Sequence, residues 1–276
     1  MFEVHPIDSL EDPRLAHYRT MRRQFDHYEQ EIFVAEGEKV VRRLLESQIE
    51  VISVMMPAPK LPELETLLKA RLEVIPVFTG AKALLEQLTG FSMYQGVLAL
   101  AKVPPSASLD DLLAAAPIAR LFVALEGLSN AENLGVIVRN AVAFGAHGLI
   151  LGETCAPPYL RRAVRSSMGT IFKLPYVQSG NLPLTLRELQ RAGVRVTAAH
   201  PHTTGKTVSK ANLAEDCCIV FGSEGSGLSK DVLGVCNEAV AIPMQHGTDS
   251  LNVATASAVF LYEAQRQRLL AGKTDN

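Results

Sequence analysis

The 276-residue sequence has few of the residues that build disulfide or thiolate metal sites, since it contains only four cysteines. Cys155, Cys217, Cys218 and Cys236 do not form the C-x-x-C pairs that zinc and redox sites use, so no metal site is predicted. Cys217 and Cys218 begin an apolar run that is typical of an interior strand, where cysteine packs as a small hydrophobic residue. We therefore expect buried free thiols.

Long apolar segments are also missing. No hydrophobic run approaches the roughly 18 residues that would span a bilayer, and the amino terminus has neither the basic stretch nor the apolar core of a secretion signal. These absences predict a cytoplasmic protein with no membrane partner. A chain of 276 residues, 47% of them hydrophobic, is long enough for two domains that each bury a core.

An overall excess of positive charge is absent as well, because the formal net charge is −2. This total gives no support to a nucleic-acid partner. The distribution is uneven, however: nine basic residues and a single acid lie between positions 155 and 210. The pattern predicts either one cationic face that tracks RNA, with Arg161, Arg162 and Arg165 grouped on a helix, or a set of solvated helix faces.

A domain boundary is predicted near the paired prolines Pro104 and Pro105, which small polar residues follow. We expect a small α/β domain over residues 1–103, a linker over 104–117 and a second domain over 118–276. In the first domain, helical periodicity covers 38–47 and 61–69, and β-rich runs cover 51–55, 73–78 and 96–101.

The second domain alternates strands and helices. Strands are predicted at 121–125, 148–151, 194–199, 217–221 and 239–242, with helices near 134–144, 159–165, 184–192 and 228–236 and from Ser250 onward. Such alternation indicates an α/β fold with a mostly parallel sheet and helices on both faces. Ligands of these sheets bind in the loops at the carboxyl ends of the strands.

Three segments with unusual polar residues follow predicted strands: 130–141, 221–229 and 242–254. The middle segment has three glycines around Glu224, so its backbone can approach a flat ligand and expose N–H groups. Its spacing fits neither the G-x-G-x-x-G dinucleotide fingerprint nor the G-x-x-x-x-G-K-[ST] phosphate loop. A dehydrogenase and a P-loop enzyme are therefore disfavoured.

Individual polar residues in these segments have both structural and functional interpretations. Ser250 precedes an apolar helical pattern and is predicted to cap the last helix. Asn252 is then expected inside the first turn, where asparagine is a poor helix former and a polar function is favoured. Arg139 lies in an otherwise apolar helix, and it either extends to solvent, pairs with Glu132 or takes part in function.

The three segments together resemble the motifs of SpoU-type (TrmH-like) RNA 2′-O-ribose methyltransferases of the SPOUT superfamily. In that family an N-x-G-x-x-x-R element, a G-x-E-G-x-G loop and an I-P-M…S-L-N-V element occur in this order. Here they correspond to residues 133–139, 222–227, 242–244 and 250–253. One departure is Ala254-Thr255, which stands where the family more often has Ser-Val.

The amino-terminal part has a weaker resemblance. The segments Phe33-Val34-Ala35-Glu36-Gly37 and Tyr94-Gln95-Gly96-Val97 resemble signatures of the ribosomal-protein-like RNA-binding domain that often precedes this catalytic unit. The resemblance thus implies an RNA substrate-binding domain over residues 1–103.

The resemblance implies a C-terminal domain with a deep trefoil knot, which is rare among folds, and a homodimer that uses the first and last helices of that domain. S-adenosyl-L-methionine is the implied cofactor, with Gly222, Ile242 and Leu251 lining its pocket. The implied reaction transfers a methyl group to a ribose 2′-hydroxyl of structured RNA, with ribosomal RNA favoured over transfer RNA.

The family's catalytic positions correspond to residues on all three motifs: Asn133, Arg139, Glu224, Ser250 and Asn252. Arg139 occupies the position that is described as the base. Because guanidinium has a pKa above ~12, we expect Arg139 to clamp a phosphate or the developing alkoxide instead. Two alternatives remain open, a base-methylating enzyme of the same fold and a non-catalytic RNA-binding protein with a relict pocket.

Overall fold

The computed structural model of the protein describes residues 1–89, 96–117, 119–203, 205–245 and 248–272, except the side chain of Thr89. Tyr94 and Gln95 of the second amino-terminal signature lie outside the described residues, as do His246 and Gly247 of the third motif. No helix within these ranges is both long and apolar enough to cross a bilayer.

The strands in chain order are β1 (Phe2–Pro6), β2 (Ile32–Glu36), β3 (Val51–Pro57), β4 (Ile75–Gly80), β5 (Leu98–Lys102), β6 (Leu121–Leu125), β7 (Gly148–Leu151), β8 (Tyr176–Gln178), β9 (Arg195–Ala199), β10 (Lys206–Thr207), β11 (Cys217–Phe221) and β12 (Glu238–Ala241). The α-helices are α1 (Ala16–Arg19), α2 (Gln24–Glu29), α3 (Glu38–Leu45), α4 (Leu61–Lys69), α5 (Lys82–Thr89), α6 (Leu109–Ala115), α7 (Ala131–Ala143), α8 (Arg161–Ser166), α9 (Leu182–Arg191), α10 (Lys230–Val235) and α11 (Val253–Leu270).

The chain divides into two compact units. Met1–Pro105 and Pro157–Phe172 form the first, and Ser106–Ala156 and Lys173–Asn276 form the second. This division differs from the expected one because the segment that contains α8 belongs to the first unit. The expected linker also contains a helix, α6, which Ser108 caps by accepting a hydrogen bond from the Asp111 amide at 3.1 Å. Leu112 of that helix is buried in the core of the second unit.

The first unit is built on a mixed five-stranded sheet in the order β1-β4-β3-β5-β2. β1, β4 and β3 are parallel neighbours, whereas β5 runs antiparallel to both β3 and β2. Its core includes Leu15, Tyr18, Met55, Phe78 and Leu98. The Tyr18 hydroxyl is buried and lies 2.8 Å from the Ser53 hydroxyl, so its polar tip is satisfied inside an apolar core.

The second unit is built on a seven-stranded sheet in the order β10-β12-β9-β11-β6-β7-β8. All of its strand pairs are parallel, which confirms the expected α/β class. β6, β7 and β11 are buried along their whole length, as central strands of a covered parallel sheet are. On α9, Leu182, Leu186 and Leu189 recur at helical spacing and enter this core.

Candidate active site

Three loops at the carboxyl ends of β9, β11 and β12 enclose a cavity of about 350 Å³ in the second unit. Parallel α/β sheets bind ligands at this edge because the loops between strands and helices converge there. The lining includes Gly222, Glu224, Ile242, Ser250, Leu251 and Asn252, which are six of the eight residues expected to form the site.

The loop after β11 has a backbone course that glycine alone permits. A Cβ atom on Gly222 would overlap the backbone of Gly227 and Leu228, and Gly227 has a φ of +66°. The Ser223 and Gly227 amides each donate to the other residue's carbonyl oxygen, at 3.2 and 3.1 Å. The loop is therefore closed on itself, and its backbone lies against the cavity.

A chain of side-chain hydrogen bonds joins the three motifs. Asn133 donates from Nδ2 to Oε1 of Glu224, and Asn252 donates from its own Nδ2 to Oδ1 of Asn133 at 3.3 Å. Asn133 is on the first turn of α7, which Asn130 caps by accepting from the Glu132 and Asn133 amides. Residues 91 and 119 positions apart in sequence thus meet at one edge of the cavity.

The expected cap of the last helix is wrong. Asn252, not Ser250, caps α11, because its Oδ1 accepts from the Ala254 amide at 2.9 Å and from the Thr255 amide at 3.3 Å. The helix begins at Val253, three residues after Ser250. Asn252 therefore lies before the first turn rather than inside it, and its amide group caps with its oxygen while its nitrogen contacts Asn133.

Packing of α7 against α11 holds these residues in place. Asn140 of α7 donates from Nδ2 to the Ala254 carbonyl oxygen at 2.9 Å and to the Ser257 hydroxyl at 3.0 Å. Ser257 is fully buried, so these bonds form in an environment where they carry more weight than at the surface. The first turns of both helices are consequently fixed at the cavity edge.

Asn133 and Arg139 are both absent from the cavity lining, although Asn133 bonds to Glu224 and Asn252, which do line it. Arg139 lies on the exposed side of α7. Glu132 and Val136 precede it on the same exposed stripe at helical spacing. Within a single chain, Arg139 therefore faces away from the hydrogen-bonded chain that Asn133 begins.

Sequence reasoning missed several residues of the cavity. His200 and His202 follow β9 and line it, with their rings 5.9 Å apart in an edge-on arrangement. Phe221 and Phe260 form an apolar wall, with ring centroids 5.7 Å apart. The strand 194–199 was predicted, so the loop after it carried the same positional signal as the other two loops.

The cysteines do not line the cavity, and all four are free thiols. Cys217 and Cys218 are buried in β11, as predicted, and burial raises the pKa of both. Cys155 and Cys236 are half-buried, and desolvation raises the pKa of Cys236 to about 12. Thiolate chemistry is therefore disfavoured at every one of these positions.

The basic residues between positions 155 and 210 are divided between the two units, and several of them form ion pairs, so a single cationic face for RNA stays a prediction. Arg161 and Arg165 belong to the first unit and both pair with Glu36. Arg195 and Lys206 belong to the second unit and pair with Glu238, at 3.9 and 2.8 Å. Basic residues of the stretch 155–210 therefore pair with Glu36 and Glu238, which lie outside that stretch in the sequence.

Comparisons with known proteins agree with this geometry. The SpoU rRNA Methylase family matches residues 120–262. An uncharacterized tRNA/rRNA methyltransferase of Mycobacterium bovis is 34% identical over 271 residues, which cover 96% of this chain and 92% of the relative.

Solved structures match both units together. An AdoMet-bound rRNA methyltransferase from Sinorhizobium meliloti has a TM-score of 0.80 and 25% identity, covering 95% of this chain and 98% of its own. An RNA 2′-O ribose methyltransferase has a TM-score of 0.79 and 27% identity, covering 98% and 100%. The chain is therefore an S-adenosylmethionine-dependent RNA methyltransferase that belongs to the SpoU rRNA methylase family.

Proposed function

We propose that this enzyme methylates the 2′-hydroxyl of a ribose in structured RNA, with ribosomal RNA as the substrate. The hydrogen-bonded chain Glu224–Asn133–Asn252 carries the proposal, because it places one polar residue from each motif beside one cavity. The likeness to a solved RNA 2′-O ribose methyltransferase supports ribose as the acceptor.

The cavity fits S-adenosylmethionine in shape and chemistry. Gly222 lets the Gly227 backbone pack closely against it and so shapes the loop that lines the cavity, and Ile242, Leu251 and Phe221 offer apolar surface. The cavity of about 350 Å³ lies within the usual range of small-molecule sites. We assign Gly222, Ile242 and Leu251 to cofactor binding.

When bound, S-adenosylmethionine supplies an activated methyl group for in-line transfer. The protein must then orient the hydroxyl and receive its proton. Asn252 and Asn133 have fixed amide orientations, so we assign them to positioning the ribose, with Glu224 holding Asn133. Ser250 is exposed at the cavity rim, where its hydroxyl is available to the substrate.

Arg139 enters this scheme through a second copy of the chain. The neighbouring helices α7 and α11 both carry exposed residues, Val136 and Tyr262 among them, and an isologous dimer pairs such a surface with its own copy. We propose a homodimer through these two helices, in which Arg139 clamps the substrate phosphate beside a neighbouring cavity. Mixing inactive Arg139→Ala and Asn252→Ala subunits should restore part of the turnover if Arg139 acts across the interface. No recovery in confirmed mixed dimers would contradict that arrangement.

The acceptor atom can be tested directly. Purified enzyme is incubated with methyl-tritiated S-adenosylmethionine and with ribosomal or transfer RNA from a strain that lacks the gene, and the RNA is hydrolysed in alkali. A 2′-O-methyl group blocks cleavage at its own phosphate, so the expected product is labelled dinucleotide from ribosomal RNA. Labelled mononucleotides would show base methylation instead. Absence of cofactor binding by titration calorimetry would indicate a relict pocket.

A further inference from the structure

The first unit carries exposed arginines beside an exposed aromatic ring. Arg23 and Phe25 lie at the start of α2, and Arg162 and Arg165 lie on α8, about 140 residues later in the chain. We call these four residues the arginine–phenylalanine face. All four are exposed, although α2 and α8 both pack against β2.

A direct contact joins the two helices of this face. The Arg162 amide donates to Oε1 of the Gln24 side chain at 3.3 Å. Gln24 stands between Arg23 and Phe25 in the sequence, so the contact places the start of α8 against that part of α2. Two segments that sequence analysis assigned to different domains thus contribute to one surface.

The three arginines of this face differ in whether they form an ion pair. Among the described residues, no carboxylate lies within ion-pair distance of Arg23 or Arg162. Arg165 lies 3.2 Å from Glu36, yet its side chain remains 53% exposed, while Glu36 is 10% exposed and also binds Arg161. The exposed acids Asp26 and Glu29 of α2 lie at helical spacing from Arg23 and Phe25, so they border this face. The face nevertheless offers cationic groups to an anionic ligand.

Phe25 gives this face a second chemical character. Its side chain is 56% exposed, whereas Phe33, Phe78, Phe122, Phe221 and Phe260 are nearly fully buried. An exposed ring gains nothing from core packing, but it is a platform on which an unpaired base stacks. Phosphate-binding arginines beside a stacking ring are the combination that single-stranded nucleic acid uses.

We propose that the arginine–phenylalanine face binds unpaired nucleotides of the substrate RNA, with the arginines on phosphates and a base stacked on Phe25. This proposal rests on the RNA methyltransferase function and names where the first unit holds its substrate. It places specificity for loops or single-stranded ends in this unit, since base stacking requires a base that is free of its duplex.

The test measures RNA affinity of the full-length enzyme by fluorescence anisotropy over a salt series. The probes are a fluorescein-labelled oligouridylate and an A-form RNA duplex of equal length. The variants are R23A/R162A, F25A, F25L and F25Y, and R187A is the matched control, because Arg187 is exposed on α9 of the second unit.

The double arginine variant should flatten the slope of log affinity against log salt by about 1.4, because each single-strand phosphate contact contributes about 0.7. F25A and F25L should weaken oligouridylate binding roughly 5- to 100-fold without changing that slope, and F25Y should bind normally. The duplex should not respond to F25A. R187A should behave as the wild type.

Several outcomes would overturn the proposal. These are an unchanged slope in R23A/R162A, unchanged oligouridylate affinity in F25A, or no binding of either probe by the wild type. Calorimetric titration with S-adenosylmethionine shows whether each variant still binds the cofactor, so a loss of RNA binding at this face can be told apart from a loss of the proposed function. If the variants bind RNA normally while the wild type methylates ribose, the proposed RNA-binding role of this face is refuted and the proposed methylation stands.

Discussion

The second unit places its polar motif residues around a cavity, whereas the first unit carries Arg23, Arg162 and Arg165 on an exposed surface. The sheets differ in a matching way. The second sheet is entirely parallel, so its loops collect at one edge and form a pocket, and the first sheet is mixed. On our proposals the two units have different tasks: the second holds the cofactor and positions the ribose hydroxyl, and the first binds RNA on an exposed face.

The largest effect should come from Gly222→Ala, which changes the cofactor cavity of the second unit and leaves the first unit unchanged. The new Cβ would overlap backbone atoms of Gly227 and Leu228, and backbone cannot rotate aside as a side chain can. We expect S-adenosylmethionine affinity to fall roughly 5- to 150-fold, the equivalent of the about 1–3 kcal/mol that overpacking costs. Calorimetric titration measures this.

Gly234→Ala is the control in the second unit, because Gly234 lies on α10 outside the cavity lining and no atom lies within 4 Å of its added Cβ. It should bind the cofactor within about twofold of the wild type, given that the substitution meets open space. RNA binding by the first unit should persist in both variants. Equal losses of cofactor affinity in the two glycine variants would refute the steric argument.

Substitutions at Asn252 should separate capping from catalysis. Asn252→Asp keeps the oxygen that accepts from the Ala254 and Thr255 amides but loses the donor to Asn133. We expect its melting temperature to stay near that of the wild type while turnover falls about tenfold, the equivalent of about 1.4 kcal/mol. Asn252→Ala should lose turnover and in addition about 1 kcal/mol of stability.

Ser250→Ala serves as the comparison, since Ser250 does not cap α11. Its unfolding free energy should match the wild type, and only its turnover should fall. A stability loss in Ser250→Ala equal to that of Asn252→Ala would contradict the observed cap. Thermal unfolding and steady-state rates on the same preparations decide between these results.

Glu36→Gln should affect the first unit selectively. Glu36 is the partner of Arg161, whose side chain is 17% exposed, so removing the carboxylate leaves a mostly buried guanidinium without its ion pair. We expect a loss of about 2 kcal/mol, below the value for fully buried pairs. Glu65→Gln breaks an exposed pair with Lys69 and should change stability by less than about 0.5 kcal/mol. Urea unfolding compares them, and similar losses would refute the assignment.

The smallest effect concerns pH. His147 in the second unit accepts from the Leu121 amide through Nδ1, and burial lowers its pKa. Burial likewise lowers the pKa of His27 in the first unit. The unfolded chain then binds more protons, so this stability is fully present above about pH 6.5 and is lost as the pH falls.

His147→Asn removes one of these titrations and retains an acceptor. The urea midpoint of the wild type should decline between about pH 7 and pH 5.5, and the decline should be shallower in the variant because only His27 remains of the pair. A steeper decline of the urea midpoint in His147→Asn would show that folding does not lower the pKa of His147.

The order of strands and helices in the second unit was largely predictable. β6, β7 and β11 match the expected strands residue for residue, because continuous apolar runs bounded by turns leave little freedom in a buried parallel sheet. β8 and β10 were missed, since they have only three and two residues. α6 was not predicted because the paired prolines before it favour a linker, although Ser108 caps this helix.

The sequence by itself determined the α/β class, the family motifs and six of the residues that line the cavity, because apolar periodicity and strand ends are local properties. Only the tertiary structure decided that Asn252 caps α11, that Asn133 joins Glu224 to Asn252, and that Arg139 faces outward. It alone placed α8 against the first unit, where Glu36 neutralises part of a cationic stretch. Charges and caps depend on partners that are distant in the chain, and folding brings those partners together.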